Sequence, residues 1–335
     1  MAIKLAINGF GRIGRNVLRA ISEAKRSDVE VVAINDLGSV DINAHLMRFD
    51  SVHGKFSGDI QVDGNSINIG TGPIQIFNER DPSKLPWKEL SIDVALECTG
   101  IFTKRADAKK HMDAGANKVL ISAPGTDSDK TIVFGVNDRM LTANDKIVSN
   151  ASCTTNCLAP VVSVLNKTVG LVKGFMTTVH SYTQDQNPLD SIHGDKRRAR
   201  ACGLSMIPTS TGAARAIGLV LPELEGRLDG TAIRVPTPNV SMIDLTFTAN
   251  RDTTKEEINA AIKDAANGPL KGVLEYIDED LVSTDFNHNP ASSSFDSTQT
   301  IVVGGNFVRV LSWYDNEWGF SNRMPDTAVA MTKAV

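Results

Sequence analysis

The sequence predicts an α/β first half built on a doubly wound parallel sheet, followed by an α+β second domain with a mainly antiparallel sheet. Three observations lead to this prediction. Residues 3–24 have the pattern of a strand, a turn and a helix, and further short apolar runs follow them up to residue 150. Beyond residue 150 the strand-like runs become longer and fewer helical patterns separate them. The length of 335 residues also exceeds what one hydrophobic core usually serves, so two domains are expected.

The first half opens with the elements of a βαβ unit. Apolar residues alternate at Ile3, Leu5 and Ile7, and the spacing becomes helical at Ile13 and Val17. Later apolar runs predict further strands at residues 29–36, 92–98, 118–122, 132–136 and 147–149. Such near-continuous apolar runs are typical of a parallel sheet, which is buried on both faces.

The second half contains longer strand patterns. They lie in the segments GFMTTVHSYT, TAIRVP, SMIDLTFTAN, TIVVGG and FVRVLSWYD. No Ser/Gly-rich linker separates the two halves, so we expect them to pack closely. Residues 317–333 return to a helical pattern, and Pro325 is expected to interrupt or kink that helix because proline lacks a backbone donor.

The charge and cysteine content argue against several classes of protein. The formal net charge is −4 with both signs mixed along the chain, which gives no bulk attraction to nucleic acid or anionic lipid. No apolar run reaches the roughly 20 residues that span a bilayer, and the first residues enter a strand pattern rather than a signal peptide. A cytoplasmic protein is therefore expected. Four cysteines in so long a chain are too few for a disulfide framework, which makes a reactive thiol the more interesting prospect.

A glycine motif lies between the first predicted strand and helix. Residues 9–14, GFGRIG, fit G-x-G-x-x-G, in which glycines permit a tight turn and the helix N-terminus offers N–H groups to a pyrophosphate. Asp36 ends the next strand, where a carboxylate can receive ribose hydroxyls and would repel the extra phosphate of NADP. A glycine turn without a ligand is the alternative. The complete pattern of strand, helix, strand and acid favours a Rossmann-type site for NAD.

A cysteine surrounded by small hydroxyl and amide residues lies in the segment SNASCTTNC, residues 149–157. Cys153 begins an apolar-spaced run after an extended segment, so it should sit near a helix start. A helix N-terminus and an adjacent imidazolium both lower the pKa of a thiol, and Ser152, Thr154 and nearby amides can stabilise an oxyanion. Cys157 falls one turn further along, on the side expected to be buried. A zinc site is disfavoured because no second Cys/His pair at ligand spacing lies nearby, and no metal is expected.

The remaining polar motifs suggest a base and two anion sites. His180 is the best-placed candidate base because it ends a β-rich stretch where a loop begins, with a structural histidine as the alternative. The densest basic run is DKRRARACG, which can also be a solvated loop or a subunit contact. Arg234 lies in an apolar strand, where an arginine usually has a specific anionic partner. Residues 210–214, STGAA, precede a predicted helix whose start can receive an anion.

Taken together, these motifs resemble those of the phosphorylating glyceraldehyde-3-phosphate dehydrogenases, over essentially the whole chain. INGFGRIGR, SNASCTTNCLAP, TTVHSYT, RRARA, PTSTGAA, RVPTPNVS and WYDNEWGFSNR occur in the order and spacing of that family. The resemblance to its bacterial-type, NAD-preferring members implies a glycolytic or gluconeogenic enzyme. It also implies a homotetramer in which residues 1–151 and the C-terminal helix 316–335 bind NAD, while residues 152–315 form the catalytic domain.

The resemblance implies roles for individual residues. Cys153 is implied as the nucleophile, with its own amide at the oxyanion, and His180 as the base. The residues implied to bind NAD are Arg12 and Ile13 at the pyrophosphate, Asp36 at the adenosine ribose, Arg80 on the adenine side, Ser122 near the nicotinamide half and Asn316 at the carboxamide. Thr183 and Arg234 resemble the substrate-phosphate site. The other implied contacts to substrate or inorganic phosphate are Ser152, Cys153 itself, Thr154, Arg198, Thr211 and Gly212.

The implied reaction is the oxidative phosphorylation of D-glyceraldehyde 3-phosphate. Thiolate attack on the aldehyde gives a hemithioacetal, hydride transfer to NAD leaves a thioester, and inorganic phosphate releases 1,3-bisphosphoglycerate. Ser191 and Ile192 stand where strictly NAD-dependent relatives carry Leu-Pro, which implies weaker use of NADP as well.

Two other functions remain open at this point. Erythrose-4-phosphate dehydrogenase, which hydrolyses its acyl intermediate, shares the SNASCTTNC and DNEWGF motifs, but Thr183 and Thr211-Gly212 match the phosphorylating enzyme. The second alternative is a non-catalytic protein that binds NAD or uses RRAR to bind RNA. Intact Cys153 and His180 disfavour it, and neither nucleic acid nor a membrane is expected as the primary partner.

Overall fold

A computed structural model of the chain describes residues 2–335. Its backbone divides into two compact units. One comprises the residues up to Ser152 together with Ser321–Val335, and the other comprises Cys153–Phe320. Among the described residues, no helix is both long enough and apolar enough to cross a membrane.

The first unit contains a nine-stranded sheet, flanking helices and a two-stranded hairpin. Its elements are β1 (Ile3–Asn8), α1 (Arg12–Glu23), β2 (Val29–Asn35), α2 (Val40–Arg48), β3 (Phe49–Asp50), β4 (Gly54–Lys55), β5 (Gln61–Asp63), β6 (Ser66–Asn68), β7 (Pro73–Phe77), α3 (Trp87–Leu90), β8 (Val94–Glu97), α4 (Arg105–Asp113), β9 (Lys118–Ile121), β10 (Lys130–Thr131) and β11 (Ile147–Ser149). Single 3₁₀ turns lie at Pro82–Lys84 and Asp138–Met140.

The nine-stranded sheet runs in the order β10-β11-β9-β8-β1-β2-β7-β6-β5. All pairs from β10 to β7 are parallel, whereas β6 is antiparallel to both of its neighbours. Strands β8 and β9 are buried along their whole length, as expected for strands covered on both faces. The predicted doubly wound sheet is confirmed. Its strand order reverses at β1, so a crevice is expected at the carboxyl ends of β1 and β8.

One predicted strand of this unit is wrong. Residues 132–136 form no strand, and the strand in that part of the chain is only Lys130–Thr131. The side chain of Asn137 supplies the reason, because it accepts the Val133 N–H at 2.8 Å and donates to the Thr131 carbonyl at 2.9 Å. Ile132 and Val133 are nevertheless fully buried. The apolar run therefore contributes to the core through a turn.

The second unit is built on a seven-stranded sheet. Its elements are α5 (Cys153–Val169), β12 (Leu171–Ser181), β13 (Ile207–Ser210), α6 (Ile217–Val220), β14 (Leu228–Val235), β15 (Ser241–Ala249), α7 (Lys255–Asn267), β16 (Leu274–Ile277), β17 (Ser293–Val303) and β18 (Phe307–Tyr314), with 3₁₀ turns at Pro222–Leu224 and Ser283–Phe286. Helix α5 contacts β12, β15, β17 and β18.

This second sheet runs in the order β13-β14-β12-β15-β18-β17-β16. Its pairs are antiparallel except for β12 with β14 and β16 with β17, which confirms the mainly antiparallel prediction. Burial alternates strictly along β15, so one face of that strand points to the core. The sheet therefore presents one apolar face on which α5 can pack.

The chain ends in α8 (Trp318–Lys333), which begins in the second unit and continues into the first. The helix is continuous through Pro325, so the expected interruption is absent. Within the first unit, Thr327 donates to Asn150 at 2.8 Å, Arg26 pairs with Asp326 at 2.6 Å, and the buried ammonium of Lys118 donates to a carbonyl in the last turn. These contacts hold the C-terminal part of α8 to the rest of the first unit.

Candidate active site

The glycine motif of the first unit forms a close turn at the carboxyl end of β1. Gly9 has φ +91°, and a Cβ placed there would lie 2.7 Å from the Thr99 nitrogen. A Cβ at Gly14 would lie 2.2 Å from the Gly9 carbonyl oxygen. Both positions therefore require glycine, because the backbone passes too close for any side chain. This is the close approach of turn and helix that a dinucleotide loop needs.

Helix α1 begins at Arg12 directly after this turn. No side chain caps it at Gly11, and its first turn carries no acidic residue. The backbone at Arg12 and Ile13 thus retains the partial positive charge of a helix N-terminus. The guanidinium of Arg12 makes a bidentate ion pair with the almost fully buried Asp50. A phosphate at this helix would accordingly be received by the backbone of Arg12 and Ile13 rather than by the arginine side chain.

The other residues expected at the cofactor lie near the ends of neighbouring strands. Asp36 follows β2, and its two oxygens accept the N–H groups of Phe10 at 2.9 Å and Gly38 at 2.8 Å. Ser122 follows β9, and its N–H donates to the Glu97 carbonyl at 3.0 Å. Arg80 is exposed, beyond β7. These placements fit an extended dinucleotide that lies across the carboxyl edge of the sheet. The glycine turn has no side chains there, so the protein backbone can come close to the pyrophosphate.

The thiol of Cys153 lies at the first residue of α5, as predicted. The turn before it includes Ala151 at φ +57°, a left-handed conformation that is uncommon for a residue with a Cβ. Cys153 is half-buried, and hydrogen bonds with Thr154 lower the pKa of its thiol. Cys157 is fully buried one turn further along, 3.4 Å from Ser293 Oγ, so its predicted position is also confirmed. No disulfide is present among the described residues.

His180 lies beside the thiol on β12. Its Nε2 is 3.6 Å from Cys153 Sγ, and the ring is almost fully buried. Its Nδ1 lies 2.7 Å from the Ser181 carbonyl and 2.7 Å from Nη1 of Arg234. These contacts favour opposite tautomers, because the carbonyl accepts a hydrogen from Nδ1 whereas the guanidinium donates to it. When Nδ1 donates to Ser181, Nε2 is left as an acceptor facing the thiol.

Burial changes the protonation that the sequence predicts for this pair. Burial raises the pKa of the Cys153 thiol, although Arg234 and Thr154 act in the opposite direction. Burial, together with the charge of Arg234, lowers the pKa of His180 to about 3. The predicted lowering of the thiol pKa by an adjacent imidazolium is therefore wrong for this structure. His180 is neutral near neutral pH, which is the form that can accept a proton from Cys153.

Arg234 joins this pair from β14, the parallel neighbour of β12. The register places Arg234 opposite His180, and Nη1 also donates to the Ser181 carbonyl at 2.9 Å. Burial lowers the pKa of Arg234, while the nearby thiol of Cys153 raises it. A half-exposed arginine in an apolar strand is thus directed at the Cys153 and His180 pair, and its role as an anion site stays a prediction.

Arg198 lies in a second polar cluster on the loop between β12 and β13. It pairs with Asp185, donates through Nε to Thr209 at 3.0 Å and lies 3.9 Å from Asp195. Its charge lowers the pKa of His180, although less than burial and Arg234 do. Arg198 is therefore within electrostatic range of the Cys153 and His180 pair while its guanidinium is held by two carboxylates.

The remaining residues expected at the substrate make local hydrogen bonds. Thr183 N–H lies 3.4 Å from the side-chain oxygen of Gln186, and Thr211 Oγ1 accepts the Ala213 N–H at 3.2 Å. The carbonyl of Gly212 accepts the Ala216 N–H at 2.8 Å. The helix predicted to follow residues 210–214 begins only at Ile217 and has four residues. The helix start that was predicted directly after residues 210–214 is therefore absent, and a turn lies there instead.

Asn316 lies in the second unit between two serines. Its side-chain oxygen accepts from Ser181 Oγ at 2.8 Å and from Ser241 Oγ at 3.0 Å, and the residue is 6% exposed. With the oxygen engaged, the side-chain nitrogen is the group that can face an amide ligand. Ser152 is the last residue before α5 and belongs to the first unit.

Tyr314 is a residue of this site that the sequence interpretation missed. Its hydroxyl is 2.9 Å from both Thr154 Oγ1 and Thr178 Oγ1, and its ring meets His180 edge-on with centroids 5.9 Å apart. Burial raises the pKa of Tyr314 well above its usual value. Its neutral hydroxyl thus holds the side chain of Thr154, and its ring packs against the imidazole of His180. The motif WYDNEWGFSNR contains it, but spacing alone does not show which of its polar residues reaches Cys153.

The chain was compared with known protein families and with characterised proteins. The family model described as the glyceraldehyde 3-phosphate dehydrogenase NAD binding domain matches residues 3–105, and that of the C-terminal domain matches residues 152–316. The glyceraldehyde-3-phosphate dehydrogenase of Xanthobacter flavus is 65% identical over 333 residues, covering 99% of each chain. That of Cereibacter sphaeroides is 64% identical over 331 residues, and glyceraldehyde-3-phosphate dehydrogenase 1 of Bacillus subtilis is 55% identical over 334 residues, again covering 99% of each chain.

Both family models match in chain order, and together they span most of the chain. The identity to these relatives extends over both units rather than over one domain. The thiol, imidazole and guanidinium group described above lies within the part matched by the C-terminal model, and the glycine turn lies within the part matched by the NAD-binding model. The chain belongs to the glyceraldehyde-3-phosphate dehydrogenase family.

Proposed function

We propose that this chain catalyses the NAD-dependent oxidative phosphorylation of D-glyceraldehyde 3-phosphate to 1,3-bisphosphoglycerate. The observation that carries the proposal is the half-buried Cys153 thiol at a helix start, 3.6 Å from Nε2 of His180 and beside Arg234. A nucleophile, a base and an anion-binding cation are thereby brought together. Acyl transfer through a cysteine requires the first two, and a phosphorylated substrate requires the third.

The first step is attack of sulfur on the aldehyde carbon. His180 Nε2 takes the thiol proton as the C–S bond forms, and the resulting imidazolium is held by the Ser181 carbonyl at Nδ1. The aldehyde oxygen becomes an oxyanion, which the Cys153 amide at the start of α5 can stabilise. Proton return to that oxygen completes a hemithioacetal and restores neutral His180.

Oxidation of the hemithioacetal again needs His180 as a base. NAD, when bound, accepts the hydride that leaves the substrate carbon. His180 takes the hydroxyl proton in the same step, so the product is a thioester on Cys153. Attack of inorganic phosphate on the thioester then breaks the C–S bond, and the thiolate regains its proton from His180.

Two sets of residues are proposed to hold the two phosphate groups. Thr183 and Arg234 bind the phosphate of the substrate, and the contact of Arg234 with His180 in this structure supports its position beside the reacting carbon. The inorganic phosphate or the reacting part of the substrate is contacted by Ser152, Cys153, Thr154, Arg198, Thr211 and Gly212. Binding of an anion by Arg198 would compete with its present partners Asp185 and Asp195.

The cofactor site is proposed to consist of Arg12, Ile13, Asp36, Arg80, Ser122 and Asn316. Asp36 supports a preference for NAD, because its carboxylate is anchored by Phe10 and Gly38 where the ribose hydroxyls are expected. Weaker use of NADP is proposed from the small polar Ser191 in the loop after the catalytic histidine.

We further propose the assembly and location that the family resemblance implies. The chain forms a cytoplasmic homotetramer, with residues 1–151 and 316–335 as the NAD-binding domain and residues 152–315 as the catalytic domain. A primary role in RNA binding is disfavoured, because Arg198 and Arg200 of the basic run are paired with Asp185 and Asp190.

The initial rate of NADH formation tests the proposed reaction. With glyceraldehyde 3-phosphate and NAD we expect steady turnover only when inorganic phosphate or arsenate is present, and a lower specificity constant with NADP. Sustained turnover without either anion would instead assign a hydrolysing dehydrogenase of the erythrose-4-phosphate type. Binding of NAD without turnover under any of these conditions would support the non-catalytic alternative.

A further inference from the structure

A chain of buried polar side chains crosses the first unit beneath the carboxyl ends of its parallel strands. We call it the polar chain, and its members are Asn35, Asn8, Glu97, His111 and Trp87. Asn8, Asn35 and Glu97 are the last residues of β1, β2 and β8, while His111 comes from α4 and Trp87 from α3. All five are 4% exposed or less. None of them has a role in the reaction proposed above.

The imidazole of His111 has a defined tautomer. The indole N–H of Trp87 lies 3.0 Å from His111 Nδ1, and an indole can only donate, so Nδ1 must accept. The hydrogen of the neutral ring is therefore on Nε2, which lies 3.0 Å from Glu97 Oε2. His111 consequently donates to Glu97 rather than accepting from it.

Glu97 lies at the centre of the polar chain and accepts on both oxygens. Oε2 accepts hydrogen bonds from Nε2 of His111 and, at 2.6 Å, from the side-chain nitrogen of Asn8. Oε1 receives the Thr99 N–H at 2.8 Å and the Thr99 hydroxyl. All four donors are neutral, and together they hold a carboxylate in the interior. The contact with Thr99 ties down the loop after β8, whose backbone lies against Gly9.

The other arm of the polar chain reaches the adenine side. Asn8 Oδ1 accepts from Asn35 at 2.7 Å. Asn35 then binds both backbone groups of Glu79, accepting its N–H at 2.8 Å and donating to its carbonyl at 2.9 Å. Glu79 directly precedes Arg80. One continuous set of hydrogen bonds therefore links the loop at Thr99 to the segment that carries Arg80.

We propose that Glu97 is a positioning residue for the dinucleotide, because the polar chain centred on it fixes the distance between the Thr99 loop and the Arg80 segment. The two segments flank the point where the strand order reverses, which is where a dinucleotide lies across a doubly wound sheet. Glu97 has both oxygens occupied by protein donors, so it acts through these segments and not by touching the ligand. This inference rests on the proposed use of NAD.

Glu97→Gln tests this proposal with little change of shape. If the amide nitrogen turns toward Asn8 and His111, it faces two donors. If it turns toward Thr99, the hydroxyl can rotate to accept from it, but the Thr99 N–H can only donate and loses its acceptor. His111 can become an acceptor at Nε2 only if its hydrogen moves to Nδ1, and the hydrogen bond from the Trp87 indole would then be lost. At least one hydrogen bond of the link must therefore be lost, and we expect the dissociation constant for NAD to rise about tenfold. The KM for glyceraldehyde 3-phosphate and the rate at which iodoacetamide alkylates Cys153 without NAD should stay within about twofold of the parent.

Glu30→Gln, at an exposed position of β2, is the matched control and should bind NAD as the parent does. Thr99→Val keeps the loop backbone and removes only the hydroxyl, so it covers the case in which Glu97→Gln does not fold. We expect about fourfold weaker NAD binding from it.

If Glu97 has a purely structural role, Glu97→Gln will unfold at a lower temperature, but its folded fraction will bind NAD as tightly as the parent does. That result would overturn the proposal. Unchanged NAD affinity of a folded Thr99→Val would do the same. If the parent itself fails to bind NAD, the proposed function fails instead.

Discussion

Replacing Cys153 with serine is expected to reduce kcat by about four orders of magnitude or more. The hydroxyl has a far higher pKa than the thiol, and burial lowers the pKa of His180, so the imidazole is too weak a base to make serine an adequate nucleophile. The residues proposed to bind NAD are retained, so the dissociation constant for NAD should change by no more than about twofold. Steady-state kinetics and a fluorescence titration with NAD measure the two quantities separately.

Cys157→Ser is the matched control for this substitution. Cys157 lies on the same helix, one turn further along, and its sulfur already contacts Ser293 Oγ at 3.4 Å, which a hydroxyl can also do. We expect Cys157→Ser to retain turnover and a single rapidly alkylated thiol at Cys153. A Cys153→Ser enzyme that still reduces NAD at the parental rate would remove Cys153 from the mechanism.

Replacing His180 with asparagine is expected to lower kcat by about two to four orders of magnitude. Asparagine can keep a donor near the Ser181 carbonyl, but it has no atom at the position of Nε2 next to the sulfur. Both the attack of Cys153 and the oxidation of the hemithioacetal lose their proton acceptor. The alkylation rate of Cys153 and the steady-state rate should therefore fall together.

His45→Asn is a suitable comparison, because His45 is exposed on α2 in the other unit. It should leave both rates unchanged. If His180→Asn alkylated and turned over like the parent, the base would have to be another group. Tyr314 does not fill that role readily, since its raised pKa keeps the hydroxyl proton in place.

Local patterns predicted the elements that position the site. The alternation at Ile3, Leu5 and Ile7 and the switch to helical spacing predicted a strand, a turn and a helix within residues 3–24, where the structure has β1 and α1. The polar segment before Cys153 likewise predicted a helix start, which the structure has at Cys153 itself. Both succeed because the determining interactions are close in the sequence.

The remaining features depend on side-chain contacts that hydrophobic patterns do not show, and most of these contacts join residues that are distant along the chain. Asn137 converts the apolar run at 132–136 into a turn, and nothing within that run reveals it. Desolvation raises the pKa of Cys153, an effect that requires knowing what covers the thiol. Tyr314 reaches Thr154 across 160 positions, and Glu97 reaches Asn8 across 89. Neither the local contacts of Asn137 nor these long-range contacts leave a periodic signal in the sequence.

A burst experiment can show whether a thioester forms on Cys153 and whether only inorganic phosphate resolves it efficiently. Enzyme, NAD and glyceraldehyde 3-phosphate are mixed without inorganic phosphate, and NADH formation is followed by absorbance. The reaction is then quenched, and the mass of the protein is measured by mass spectrometry. We expect a burst that stops near one NADH for each Cys153, an acyl adduct on that residue, and renewed turnover when phosphate is added. Continued NADH formation without phosphate, or a burst with no adduct on Cys153, would contradict it.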